Sequence, residues 1–495
     1  MADFDVVVIG AGCGGLTAGA LLAARGRSVL VLDMNDMVGG CASGFVREGH
    51  IFDVGASVVE LLVPLRRAFA ALGTTLEDEV DMILCDPTFT VILRDGERIH
   101  FPASTEGIIE ALRAVSAEDA RNWERFASYC SDLYDVLLDT VYLEPMSTVG
   151  DLARLLRRNS ALAKYLPSFL TSYQGVLGRY FSSRAQQSFA FQGLTMGLPP
   201  GLLPGLYAFL PYGELQGPYY PRGGMIELPN ALRRVGERHG MTVRLRTPVR
   251  RVMVERGRAI GVALADGTEI RSDVVVSNVN AKTLYAEMVG EEYLPWLARR
   301  GVRSYQYDNA LPVVYLGVDY EPPLDAHHTV IAPTSEEVDS WWRNRARRPI
   351  PSRHFGMVDW PTRTDPGLAP EGRHVLNVTV AGAYCGIDWD AHKHRFVEEV
   401  VSFLSADVLP GLEEHVRMAS CATPRDFERR IGLAEGGLHG LAQDLAHTTV
   451  FRPSNKSKSI EGLYLAGSST NPGGGVPTVI ASGAIAAKLV QRYES

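Results

Sequence analysis

The chain has 495 residues, 46% hydrophobic and 21% charged, with a formal charge of 49 − 57 = −8. Such a length exceeds one simple core and predicts two intertwined domains. The acidic balance excludes the broad basic face that a nucleic-acid partner needs.

In chain order, Asp5–Ile9 (DVVVI) reads as a buried parallel strand. Gly10-Ala11-Gly12-Cys13-Gly14-Gly15 follows, then a helix over Leu16–Arg25 stopped by Gly26, then a strand over Ser28–Leu32 ending in Asp33. Gly10, Gly12 and Gly15 fill a GxGxxG pattern. The first glycine makes the turn, the second lets backbone approach a pyrophosphate, and the third lets helix and strand pack. The helix start offers unpaired N–H groups to phosphates. Asp33, 18 residues after Gly15, is placed to bond a ribose. Gly39-Gly40 follows closely, as where a flavoprotein chain crosses beneath the pyrophosphate; no second GxGxxG appears for a separate nicotinamide domain. Val6–Ala24 is uncharged, but Asp3 and Asp5 precede it where a signal peptide carries positive charge.

Residues 61–215 read as mostly helical, with a strand pair at Thr88–Leu93 and Arg98–Phe101. Ala185–Gly213 is uncharged but broken by Pro199, Pro200, Pro204 and Pro211, so no membrane-spanning helix is expected. Within it, Gln192–Tyr212 reads as a buried tunnel wall or as a mouth that dips into a bilayer surface. Tyr219–Gly224 (YYPRGG) turns into a helix over Met225–Gly240. Strands follow at Thr242–Leu245 and Val249–Glu255, then a hairpin of Arg258–Leu264 and Thr268–Arg271 about Asp266-Gly267, then Asp273–Asn278. The strand entering at Val249 is a candidate for backbone contact with an adenine. Residues 290–440 mix strands (Pro312–Val318, Val375–Val380) with helices (His394–Val408). Gly462–Gly467 is a last strand, and Pro477–Lys488 a last helix whose N-terminal turn, Gly473–Val476, is placed to stabilise negative charge on a flavin ring.

Other residues carry less. The six cysteines, Cys13, Cys41, Cys85, Cys130, Cys385 and Cys421, form no CxxC pair, which predicts no metal or redox dithiol and a reduced, cytoplasmic setting. His327-His328 and His392/His394 read as solvent-exposed or structural rather than metal-binding. The basic clusters Arg244–Arg251 and Arg343–Arg348 read as solvated surface.

The chain resembles the bacterial-type phytoene desaturases and their relatives, the carotenoid isomerases and retinol saturases. The resemblance rests on VVVIGAGCGGL (6–16), GGCASGFVREGHIFDVGAS (39–57), YYPRGGM (219–225), GRAIGVALADG (257–267), ATPRDFERR (422–430) and GLYLAGSSTNPGGGVPTVIASG (462–483). It implies FAD, an α/β Rossmann-type FAD-binding domain with a discontinuous mixed α+β substrate domain (the amine oxidase-like fold), and an apolar tunnel for polyene lipids. The domains expected are residues 1–60, 216–289 and 441–495 for FAD, and 61–215 and 290–440 for substrate. Carried over position by position, the resemblance makes Gly10, Gly12, Gly15, Asp33, Gly39, Gly40, Gly467, Ser468, Gly475, Val476 and Pro477 flavin contacts. Asp33 stands where relatives usually have Glu, Ser468 where many have an acid, and Cys41 where desaturases often have Arg.

The leading reading is an FAD-dependent desaturase of a long polyene or isoprenoid lipid. It carries peripheral contact with the inner face of the cytoplasmic membrane and oxygen or a quinone as electron acceptor. The alternatives are a redox-neutral isomerase using reduced FAD, an amine oxidase, or a prenyl-lipid chaperone like the Rab GDP-dissociation inhibitors. Desaturation also needs a proton acceptor. Glu214, Tyr219 and Tyr220 lie near the YYPRGG turn and are candidates, but packing roles compete at each, and no catalytic residue is assigned.

Overall fold

A computed structural model of the chain describes residues 2–215, 217–307, 311–344, 354–381 and 387–494. Cys385 and the arginines of the Arg343–Arg348 cluster beyond Arg343 lie outside the described residues.

The N-terminal unit is a strand, Phe4–Ile9, a helix, Cys13–Ala23, and a strand, Val29–Leu32. Val6, Val7 and Val8 are wholly buried, as a parallel strand covered on both faces requires. The helix starts at Cys13, not Leu16, because Gly12 is its N-cap and Gly14 and Gly15 fall in its first turn. Glycine's weak helix propensity hides that start in the sequence, and packing decides it. A Cβ on Gly15 would overlap the Gly10 carbonyl, so only glycine lets the helix sit this close to the turn.

Phe4–Ile9 pairs parallel with Val29–Leu32 on one side and with Glu269–Ser277 on the other. Thr242–Arg244 and Leu463–Leu465 extend the parallel core at its flanks. The two strands expected over residues 268–278 are one continuous strand, Glu269–Ser277. Its first part pairs antiparallel with Arg258–Leu264, its second parallel with Phe4–Ile9. Val249–Glu255 adds the outermost strand of this seven-stranded sheet.

A second seven-stranded sheet has the order Val416–Ala422, Val313–Val318, His374–Ala381, Phe355–Asp359, His328–Ile331, Phe89–Ile92, Arg98–Phe101. Trp389–Asp407 covers it and starts five residues before the expected His394, because the Asp388 carboxylate caps the backbone N–H of Ala391. Residues 105–215 are largely helical, and their core gathers Trp123, Phe126, Phe181 and Phe189. No helix among the described residues is long and apolar enough to cross a membrane.

The last helix, Val476–Tyr493, packs on Cys13–Ala23. A Cβ on Gly483 would overlap the Gly14 carbonyl, so glycine sets how closely the two helices approach. The two ends of the chain are therefore neighbours in space.

Candidate active site

One cavity is lined by Gly12, Gly39 and Gly40 from the N-terminal region and by Gly467, Ser468, Gly475, Val476 and Pro477 from the C-terminal region. The other four sequence candidates lie outside its lining. Gly10, at φ +96°, forms the turn beneath it, and Gly15 packs the helix onto that turn. Asp33 ends its strand, and its carboxylate accepts the N–H of Ala11 at 2.7 Å and of Asn35 at 2.8 Å. Each oxygen keeps a lone pair for another donor. Val249 is half-buried at the start of its strand. It is held near Asp33 because Thr247 N–H bonds the Asp33 carbonyl at 2.7 Å.

Gly39 bridges Gly12, and its N–H donates to the Ala11 carbonyl at 2.8 Å, so the Gly39-Gly40 segment runs directly against the first glycine turn. Sequence reading did not single out Asn278 as a site residue. It ends the strand beside Phe4–Ile9, and its side chain sits among three glycines. A Cβ on Gly12 would lie 2.7 Å from its Nδ2, one on Gly14 2.6 Å from its Oδ1, and one on Gly467 2.7 Å from the same Oδ1. That Oδ1 is buried without a hydrogen-bond partner among the described residues. Arg452 also went unread. Its guanidinium is buried and donates to the carbonyls of Leu441 at 3.0 Å, Ala442 at 3.2 Å, His447 at 2.8 Å and Thr470 at 3.1 Å, and to that of Ser468. A lone arginine in VFRPS carries no sequence signal of this role, which only the folded loop reveals.

The far wall is apolar: Phe89, Phe191, Met196 and Leu210 line it. Most of Gln192–Tyr212 is buried, as a tunnel wall requires, while Leu202 stands 48% exposed at its outer edge. Four titratable residues share this end of the cavity: Glu60, Glu214, His328 and His439. Of the three proton-acceptor candidates, Glu214 lines the cavity. Tyr219 and Tyr220 do not line it. Tyr219 bridges Val59, and the Tyr220 hydroxyl donates to Asp53 Oδ2 at 2.7 Å, so both are consumed by packing. Burial, the leading cause, pushes the Asp53 carboxyl up to about 7 against the bonds from Tyr220 and Met225.

His392 and His394 are exposed, while His327 and His328 are buried and bonded to Thr364 and Asp359, and His328 also faces the cavity. His328 stands in register opposite Asp359, bonds that carboxylate through Nδ1, and has a buried Nε2 without a hydrogen-bond partner among the described residues. Burial raises the Glu60 carboxyl above the ordinary range, while the neighbouring His328, Glu214 and His439 pull the other way. Burial also pushes the Cys13 thiol up to about 12, so this cavity-lining cysteine stays protonated.

The arrangement fits a dinucleotide. The first helix starts with no side-chain cap, bare glycine backbone stands before it, and an acid closes the second strand. The last helix likewise begins at an uncapped Gly475.

Residues 13–491 match the family of flavin containing amine oxidoreductases. The chain is 30% identical to the phytoene desaturase of Fusarium fujikuroi, over 98% of this chain and 89% of that one. It is 28% identical to the zeta-carotene-forming phytoene desaturase of Myxococcus xanthus (98% and 92%) and 29% to the neurosporene-forming enzyme of Rhodobacter capsulatus (98% and 93%). Its fold is that of an oxidoreductase from Methanosarcina mazei (TM-score 0.65, 18% identity, 98% and 99% covered). Putrescine oxidase bound to putrescine shares it too (TM-score 0.63, 16% identity, 99% of each). The chain therefore belongs to the flavin containing amine oxidoreductases, as an FAD-dependent oxidoreductase of the phytoene desaturase group.

Proposed function

We propose that the protein desaturates a long, hydrophobic polyene of the isoprenoid class. The carrying observation is one cavity that joins a glycine-built end, suited to a flavin, to the apolar wall of Phe89, Phe191, Met196 and Leu210. The curated relatives named above are phytoene desaturases, which supports the same reading. FAD, when bound, supplies the two-electron oxidant.

In this reading Gly12, Gly39 and Gly40 lie against the pyrophosphate, with Gly10 and Gly15 building the turn. Asp33 accepts the ribose hydroxyls, and Val249 offers its backbone to the adenine. Gly467, Ser468, Gly475, Val476 and Pro477 flank the flavin, and Asn278 Oδ1 stands ready for a donor between the two turns. Residues 1–60, 216–289 and 441–495 hold the cofactor, and 61–215 and 290–440 hold the substrate. The substrate enters from the inner face of a membrane. Val149, Leu166, Leu170 and Leu202 support that step, standing 71%, 40%, 86% and 48% exposed on the helical block. Oxygen or a membrane quinone takes the electrons away.

Expression in a host that accumulates phytoene, followed by mass and absorbance of the extracted lipid, tests the reading. Loss of pairs of hydrogens with red-shifted absorbance is expected. Isomerised lipid of unchanged mass would replace desaturation with isomerisation, and wholly unchanged lipid would overturn both.

A further inference from the structure

The reaction proposed above leaves one chemical need unmet: a group to take the proton. Glu60 and Glu214 both line the cavity, close enough for one carboxyl to act on the other. Two buried carboxyls sharing one cavity resist losing both protons, and once the first of the two is lost the pair holds one proton and one negative charge. Its surroundings come from separate elements. His328 approaches from the second sheet, its Nδ1 tied to Asp359, and His439 from the loop before Leu441. Tyr142 and Tyr173 approach from the helical block, close enough for the carboxyls to affect their hydroxyls. Burial keeps both of those tyrosines protonated, so they bring no competing charge.

We propose that the Glu60–Glu214 pair is the proton acceptor of the desaturation, with His328 and Asp359 as residues that position it. One substrate C–H bond breaks and its hydrogen leaves with two electrons for the flavin oxidant. The adjacent C–H bond then breaks, its proton passes to the pair, and the electrons it leaves form the new C=C bond. The pair's negative charge also opposes the positive charge that develops on the polyene after the first transfer. This inference rests on the proposed polyene substrate.

The test uses the FAD-loaded protein as wild type, E60Q, E214Q and H328N. Infrared spectra of the protein without substrate should contain the carbonyl band of a buried protonated carboxyl near neutral pH. That band should shift or vanish in E60Q and in E214Q. Anaerobic mixing with phytoene in lipid vesicles should bleach the flavin in the wild type, with a rate that rises with pH to a plateau as the pair loses the first of its two protons. The rate should fall about 100-fold or more in either Gln variant, with the pH limb abolished. In H328N the limb should move while FAD content is kept. A wild type that bleaches while E60Q and E214Q keep rates within threefold would overturn the inference and leave the polyene reading standing. A wild type that never bleaches with any polyene would sink the polyene reading instead. If neither Gln variant folds, the infrared titration of D53N, which removes the other buried carboxyl titrating near 7, decides: no protonated-carboxyl band across the neutral range refutes the pair.

Discussion

Single atoms decide the nucleotide end of the cavity. Gly14 stands where a Cβ would meet Asn278 Oδ1 at 2.6 Å and the Gly467 backbone nitrogen at 3.0 Å. Backbone from the opposite end of the chain cannot retreat as a flexible side chain would. Gly14→Ala should therefore weaken FAD binding by about 1–3 kcal/mol, roughly 10–100-fold in Kd, read by fluorescence titration of the apoprotein. An unchanged Kd would mean that the two turns do not share the cofactor. Asp53 gives a different prediction. Its carboxyl lies at about 7 in the folded chain against an ordinary 3.8. The folded state thus binds the proton more tightly. The stabilisation is full below pH 3.8 and is lost as pH rises through about 7. Between pH 5 and pH 8, urea unfolding of the wild type should lose about 2–3 kcal/mol that Asp53→Asn does not lose. Parallel pH profiles for the two proteins would refute the assignment.

Elements explain why distant loops hold one shape. Arg452 joins the 441–447 segment to the Ser468–Thr470 segment mainly through backbone carbonyls, with Gln443 Oε1 as a side-chain acceptor at 3.4 Å. Arg452→Met would strip several buried acceptors at once. It should lower stability by at least ~3 kcal/mol and release FAD, seen as a lower Tm and free flavin after gel filtration. The contact between the first and last helices is equally specific. Gly483→Val should push the last helix off the Gly14 carbonyl, costing about 1–3 kcal/mol by thermal unfolding. Much at this scale was legible in the chain. The β-branched run at Val6–Val8, the GxGxxG turn and the apolar run after Pro477 each force one local answer. The strand Glu269–Ser277 was not legible as one piece, because its two halves pair with different neighbours in different directions. Asn278, Arg452, Glu60 and the His328–Asp359 pair were equally silent. Their roles come from cross-strand register and from loops far apart in sequence, which no local pattern encodes.

At the scale of the molecule, two seven-stranded sheets meet at one cavity, and the chain ends contribute its glycine-built half. On the proposed reading FAD bridges both ends, and it should then act as a staple. Added FAD at 100 times its Kd should stabilise the apoprotein by about 2.7 kcal/mol, with a matching rise in Tm. The central claim, that a flavin held by both termini oxidises a polyene in the adjoining apolar space, is tested most directly by an anaerobic single turnover. Purified yellow protein is mixed with phytoene in lipid vesicles while flavin absorbance and lipid mass are followed together. The account predicts that the absorbance bleaches in step with the loss of two hydrogens per flavin. Full flavin colour beside unaltered lipid, across a series of isoprenoid polyenes, would contradict it.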